Sequence, residues 1–367
     1  MQLNSLSITN LRNIVQAELA LAPGFNLFFG QNGSGKTSIL EAVHLLASGR
    51  SFRSMHAKNI IRVGEASYRV SGLASPLKEP ALRSPLSLGV ERFASGATKI
   101  RLAEKDCHSM AELAKVLALQ LINSDSYDLL EADPSHRRRF VDWMMFHVEH
   151  SFHPVWQRFN RALQQRNAVL RMENTGQHGD ISAWNHELVQ TGQIIDAQRK
   201  ALLAEFIPIF SGMVTELLGL EKEISIRYEQ GWSADYSLEG ALSKYLPRDL
   251  ALKYTTVGPQ RADLEILIDG IPAKSLLSRG ELKLFIAALL ISRAELLHKK
   301  EDRKCLFLVD DLHAELDDRA AGALIGALSS LGSQVLISSV LKESVSSFLK
   351  AGELRCFGVR GGVVQNI

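Results

Sequence analysis

The stretch GQNGSGKTS, residues 30–38, constrains this chain more than any other. It follows the apolar run NLFF and precedes SILEAVHLLAS, whose apolar residues recur at helical spacing. Strand, glycine loop and helix in that order make a phosphate cradle. Gly30, Gly33 and Gly35 let the backbone turn tightly, so that successive N–H groups point inward. Gln31, Asn32, Ser34 and Ser38 complete the loop, and the helix opening near Lys36 adds its partial positive end. Lys36 is placed to reach β- and γ-phosphates, and the Thr37 hydroxyl to ligate Mg²⁺. The alternative is a glycine-rich turn that matches by chance, and the correct flanks argue against it.

A phosphate cradle of this kind needs a second carboxylate site, and CLFLVDD supplies one: an apolar strand ending in Asp310 and Asp311. Asp310 would hold Mg²⁺, directly or through water, and Asp311 would orient or deprotonate the attacking water. The plainer reading is two acidic residues opening a turn. Lys36 and Asp310 stand 274 positions apart, whereas compact GTPase and kinase folds keep the two elements much closer. An ATPase fold split around a large insertion accounts for the gap.

The order of segments agrees. LNSLSI and VQAELAL alternate like half-buried strands. SYRVSGLA, LSLGVERF and TKIRLA read as a small antiparallel sheet. From about residue 108 to 220 strand patterns nearly vanish and long helical windows appear, with a break at ENTGQHGD. EISIRYEQ returns to strand character, and LEILIDGIPA reads as a hairpin turning at Asp269-Gly270. A helix (ELKLFIAALLISRAELLHKK), the strand CLFLVDD, a helix (RAAGALIGALSSL) and the strands QVLISS and LRCFGVR close the chain. The strand–loop–helix unit at one end and the strand–helix–strand units at the other should share one sheet.

Directly before the helix at 281 lies SLLSRGE. Ser278 and Gly280 at a helix N-terminus form a second anion site, with Arg279 between them. One chain already has its own cradle, so a spare site makes sense if it serves a neighbour. Two copies about a twofold axis would each offer this helix tip to the other's γ-phosphate. An ordinary helix cap is the alternative.

Composition narrows the class. The chain has 367 residues, 46% of them hydrophobic, and a net charge of only +2, which excludes a histone-like polycation but not a local basic face. Cys107, Cys305 and Cys356 are scattered, without a CxxC pair, so a disulfide framework or zinc cluster is not expected. MQLNSLSITNLRNI lacks the marks of a signal peptide, and the runs AKVLALQLI and LFIAALLI are short of the ~20 residues that span a bilayer. A soluble, cytoplasmic protein without a membrane partner is expected.

In their order along the chain, the glycine loop, LSRGE, LFLVDD and AELD (314–317) resemble the motifs of ABC-type ATPase heads. Within that class the chain resembles the RecF family of bacterial recombination mediators over nearly its whole length. The resemblance is carried by LNSLSITNLRNI, GQNGSGKTSILEAVHLLASGRSFR, HRRRFVDWMMFHVEHSFHPVWQRFNRALQQRNAVLR, YTTVGPQRADLEI and LVDDLHAELD. RRRFVDW, QRNAVLR and VGPQRADL are its most specific parts. It implies an α/β fold: an ABC-type ATPase head, with a P-loop NTPase sheet, helices and an antiparallel β subdomain, plus a mainly helical second lobe. The expected divisions are 1–120 and 250–367 for the ATPase lobe and 121–249 for the helical lobe. It further implies ATP and Mg²⁺, an ATP-dependent homodimer, weak DNA-stimulated ATPase activity, and binding to double-stranded DNA and single-strand/double-strand junctions. The implied protein partners are RecR- and RecO-type mediators that help load recombinase at gaps. By position, Gln120 resembles a Q-loop residue near Mg²⁺, and Asp317 a D-loop residue near the nucleotide.

Two departures from the wider ABC pattern matter. The transporter signature ends in Gly-Gly-Gln, whereas here Arg279 and Glu281 replace the first glycine and the glutamine. The strand after LFLVDD carries Ser338 and Ser339 where transporter heads place a switch histidine. Without that imidazole, hydrolysis should be slow. A transporter ATPase subunit is the alternative, but it predicts a shorter insert, the Gly-Gly-Gln ending and the histidine. An SMC-like head needs a long heptad region that the insert lacks. A third alternative uses ATP mainly as a conformational ligand.

Arg137, Arg138 and Arg139, followed by Arg158, Arg161, Arg166 and Arg171, make an arginine-rich stretch. It reads either as a phosphate-tracking DNA surface or as a solvated helix face. Arg50, Arg53 and Arg62 follow the first helix and either reach the nucleotide or DNA or are ordinary surface charge. Trp143, Phe146, Phe152, Trp156 and Phe159 read as core. His147, His150 and His153 recur every third residue, but Pro154 breaks the helix a metal cluster would need, and they read as polar surface residues.

Overall fold

A computed structural model of the chain describes residues 1–54, 56–75, 85–107, 109–172, 181–313, 316–350 and 352–367. The break expected at 173–180 lies outside the described residues. Two compact units emerge: Met1–Ser126 with Glu216–Leu218 and Arg279–Ile367, and Tyr127–Thr215 with Gly219–Ser278.

The first unit opens with the hairpin β1 (Gln2–Leu11) and β2 (Ile14–Ala20), then β3 (Phe25–Phe29), the glycine loop and α1 (Lys36–Ser48). β4 (Ser67–Ser75), β5 (Leu86–Phe93), β6 (Thr98–Leu102) and β7 (Lys105–Cys107) follow, then α2 (Met110–Val116) and β8 (Leu119–Ile122). β1, β2 and β4–β7 form one antiparallel sheet in the order β2-β1-β4-β5-β6-β7. Its strands bury alternate residues, as a sheet covered on one face must. Leu6, Ile8, Val70, Leu88 and Val90 belong to one core cluster with Ile39, Leu40, Val43 and Leu46 of α1.

The second unit contains α3 (Asp128–Glu131), α4 (Pro134–Val148), α5 (Phe152–Arg171) and α6 (Ile181–Leu218), whose last turn groups with the first unit. After β9 (Ile224–Glu229) come α7 (Leu238–Lys244), α8 (Leu246–Leu252), β10 (Asp263–Ile268), β11 (Ile271–Pro272) and α9 (Ala273–Leu276). The hairpin read from sequence is present, with Asp269 at φ 49° and Gly270 at φ 77°, two left-handed positions of a tight turn. Its partner, however, is β9, in a separate three-stranded sheet. Residues 250–278 therefore group with the helical unit, not with the ATPase unit as the expected division at 250 had it. A strand's periodicity shows which face it buries, but not which sheet satisfies its backbone.

α6 is long and apolar enough, by length and composition, to cross a membrane. Leu202, Phe206 and Phe210 on its inner stripe are buried, as in an amphipathic core helix.

The chain returns to the first unit with α10 (Arg279–Glu301), β12 (Leu306–Val309), α11 (Asp318–Ser330), β13 (Gln334–Ser339), α12 (Glu343–Ser346) and the hairpin β14 (Leu354–Arg360) and β15 (Val363–Asn366). These strands join β3 and β8 in one sheet, order β15-β14-β3-β13-β12-β8, parallel except for β15. β12 and β13 are buried at every residue, as central parallel strands are. The single sheet drawn from both ends of the chain is thus present. β8 falls in a region that reads as helical, because LQLI is only four residues long and is flanked by helical patterns.

Candidate functional site

The site lies at the carboxyl ends of β3, β12 and β13, where open α/β sheets bind ligands. β3 ends at Phe29 and the loop turns at once through Gly30. At Gly30 (φ 152°) a Cβ would meet Val359 O of β14 at 2.2 Å, so only glycine lets the loop pass this strand. Gly35 (φ 117°) occupies the N-cap of α1 in a left-handed conformation, again a glycine position. Lys36 Nζ donates to Gly30 O (2.6 Å) and Gln31 O (3.0 Å), folding back over its own loop. Burial lowers the Lys36 pKa, while Asp311 and Asp310 pull it the other way.

Thr37 Oγ1 donates to Asp310 Oδ1 across 3.0 Å, joining the two motifs. Ser338, at the end of β13, donates its hydroxyl to the same Asp310 oxygen (2.6 Å) and accepts the Asp311 N–H (2.9 Å). Asp311 stands at φ 53°, a left-handed position that costs a non-glycine residue ~1–3 kcal/mol and recurs at functional sites. A cavity of about 430 Å³ opens here, lined by Lys36, Thr37, Asp311 and Ser338, with Arg12, Asn13 and Arg53 at its walls.

The donor set suits a magnesium triphosphate. Thr37 and Asp310 offer hard oxygens side by side, as Mg²⁺ prefers. Ser34 Oγ, in the middle of the loop, is buried without a hydrogen-bond partner among the described residues. Lys36, Arg12 and Arg53 bring three cations to one cavity wall.

Two wall residues had no role assigned from sequence. Asn13 donates to Gly33 O (3.3 Å) and Ser34 O (3.1 Å) and accepts from Ser38 Oγ (3.3 Å), bracing the loop from the β1–β2 turn. Arg12, at φ 54°, pairs with Glu41 through two bonds of 2.9 and 2.8 Å. Glu41 is fully buried in α1, and Arg53 approaches it at 3.7 Å. Of the three arginines after the first helix, Arg53 is the one that lines the cavity. In the sequence both Arg12 and Asn13 fall within LNSLSITNLRNI, which carries the family resemblance without giving either residue a role.

Other expected residues stand differently. Gln120 is not beside the cradle: fully buried on β8, it pairs in register with Phe307, three residues before Asp310. Its side-chain oxygen accepts from Arg293 Nε at 2.8 Å, so it is fixed in the core as a scaffold group. Asn123, where β8 ends level with Asp310, bonds instead to Asp125 and Ser126. Asp317 caps α11 by accepting the Ala320 N–H (2.8 Å), while Ala314 and Glu315 of AELD lie outside the described residues. Ser278 ends the second unit and Arg279 opens α10; both are exposed, as is Glu281 in the first turn, where a carboxylate favours a helix start.

The arginine stretch is mostly consumed by the second unit itself. Arg137 grips Asp263 through bonds of 2.7 and 3.1 Å, and Arg138 donates to Ala262 O (2.8 Å). Burial lowers the Arg138 pKa, and Arg199 adds to the effect. Arg158 pairs with Glu187 through bonds of 2.7 and 3.1 Å. Arg166 is wholly buried against Asp249 (2.7 Å) and Thr255 (2.8 Å), which removes it from any phosphate-tracking face. Arg139 and Arg161 remain exposed. Phe152 and Phe159 are core, as expected, but Trp156 is partly exposed. His147 is buried between Trp143 and Phe146, not on the surface, because it lies on the inner side of α4.

Residues 2–359 match the RecF/RecN/SMC N-terminal domain family. The DNA replication and repair protein RecF of Pseudomonas paraeruginosa (strain DSM 24068 / PA7) is 41% identical over 348 residues, covering 93% of this chain and 90% of that protein. The RecF of Edwardsiella ictaluri (strain 93-146) is 37% identical, covering 95% and 96%. A solved structure of the recombination mediator protein RecF with ATP, of the RecFOR pathway, superposes with a TM-score of 0.87 at 24% identity, covering 100% of this chain and 97% of that one. An Smc head bound to the C-terminal winged-helix domain of ScpA gives a TM-score of 0.59 at 14% identity, covering 100% and 97%. The fold is that of ABC-type ATPase heads of the RecF and SMC kind.

Proposed function

The chain belongs to the RecF family of DNA replication and repair proteins, and from that premise we propose that it is an ATP-dependent DNA-binding protein of recombinational gap repair and replication restart. The observation that carries this reading is the Thr37–Asp310 contact, which joins a phosphate loop to its carboxylate across 273 positions.

ATP would lie in the glycine loop, with its phosphates toward Lys36, Arg12 and Arg53. Thr37 and Asp310 would hold Mg²⁺, which when bound neutralises charge on the phosphate oxygens. Asp311 orients, and accepts a proton from, the water that attacks the terminal phosphate. With Ser338 instead of an imidazole at the cavity, weak, DNA-stimulated turnover is expected. The exposed Ser278 and Arg279 at the start of α10, with half-buried Gly280 beside them, support pairing of two chains, each closing the other's nucleotide site. On this reading the ATP-bound dimer clamps double-stranded DNA at gaps and junctions, works in the cytoplasm with RecR- and RecO-type partners to load recombinase, and lets go on hydrolysis.

Binding to a gapped duplex, measured with and without MgATP over a salt series, tests the proposal. ATP should tighten binding, Lys36→Ala should abolish that gain, and affinity should fall with a log–log slope of about −0.9 per phosphate contacted. Binding that ignores both ATP and salt would refute it.

A further inference from the structure

We infer that Ser338 is the positioning residue of this site: its one hydroxyl fixes the carboxylate of Asp310 and the backbone of Asp311 together. The inference rests on the nucleotide reading above and adds a residue to it. In the sheet, β13 lies between β3, which carries the phosphate loop, and β12, which carries the two aspartates. The end of β13 is therefore placed between the two halves of the site, within reach of the aspartates that follow β12. Ser338 stands there, level with Phe28 of β3 and one residue beyond the Ile337–Val309 pair of β12.

Tying the carboxylate of one aspartate to the backbone of the next needs a group that donates and accepts through one small atom. Ser338 Oγ donates to Asp310 Oδ1 (2.6 Å) and accepts from the Asp311 N–H (2.9 Å). The second bond holds Asp311 in its left-handed conformation (φ 53°) and so sets where its carboxylate starts. Thr37 also donates to Asp310 Oδ1, but Thr37 is itself a residue that would hold the ion. Ser338 is assigned no such role, so its hydroxyl is the one left to orient the carboxylate. Ser338 is buried, so water does not take over either bond at low cost. The residue that reads from sequence as a missing imidazole is the link between the metal-holding and water-orienting aspartates.

The test is a Mg²⁺ titration of fluorescent ATP-analogue binding, followed by steady-state turnover, for wild type, Ser338→Ala and Ser338→Thr. Ser338→Ala should raise the half-saturating Mg²⁺ concentration and lower kcat, each by about 10–100-fold, the usual effect of losing a group that orients a ligand. Its melting temperature, and KM for ATP at saturating Mg²⁺, should stay near wild type. A purely structural role would move those two first. Ser338→Thr, which keeps the hydroxyl, should recover both the Mg²⁺ midpoint and kcat. Wild-type values for both in Ser338→Ala would overturn the role of Ser338 alone. A wild-type protein that fails to bind the analogue with Mg²⁺ would overturn the nucleotide reading with it.

Discussion

The glycine loop and the arginine stretch look equally functional as strings of letters, yet the fold treats them in opposite ways. Around the loop, polar groups converge on an open cavity: Lys36, Thr37, Asp311 and Ser338, with Arg12 and Arg53 on the wall. Along the arginine stretch, most guanidiniums turn inward or sideways to carboxylates and carbonyls of their own unit. Arg166 lies fully buried on Asp249, 83 positions away, and Arg137 grips Asp263, 126 positions away. A phosphate loop works through its own backbone, so its function travels with its local sequence. A cation's availability depends on whether a distant residue is folded onto it, and the local sequence does not record that.

The contrast can be broken at either end. The largest effect is expected at Asp311: Asp311→Asn should keep ATP binding and lower turnover by about 10²–10⁴-fold, the span of a general base. Unchanged turnover in a steady-state assay would remove Asp311 from the chemistry. In the second unit, Arg166→Ala should cost ~3–5 kcal/mol in a denaturant melt, because it strands the buried Asp249 carboxylate. A loss near that of a surface substitution would show that the arginine is not a structural pillar. Smallest of all, Arg158→Ala breaks an exposed pair with Glu187 and should leave the melting midpoint within scatter. If it weakens DNA binding instead, part of the stretch belongs with the functional surface after all.

What was legible in the sequence was what is local or periodic. The strand–loop–helix around Lys36, the aspartates ending β12 and the Asp269-Gly270 turn were all readable, because each rests on residues adjacent in the chain. The common sheet followed from the same motifs, since a phosphate loop without its carboxylate strand would be incomplete. What was not legible depends on pairing at a distance. LQLI became an edge strand only because β12 offered it hydrogen bonds, and β10 joined β9 for the same reason. Gln120 was held in the core by Arg293, 173 positions on. Ser338 stood out in the sequence only for the histidine it is not; its bonds to Asp310 and Asp311 depend on strand order. Asn13 and Arg12 reach the cavity from a hairpin of the other sheet of the same unit, which no spacing rule anticipates.

The account turns on triphosphate held between two copies of this chain. Sedimentation velocity without nucleotide, with MgATP, and with MgATP plus gapped DNA measures that most directly. The wild type should run as a monomer alone and as a dimer with MgATP, on DNA and off it, while Lys36→Ala stays monomeric throughout. A wild-type protein that binds ATP yet sediments as a monomer in every condition would contradict it.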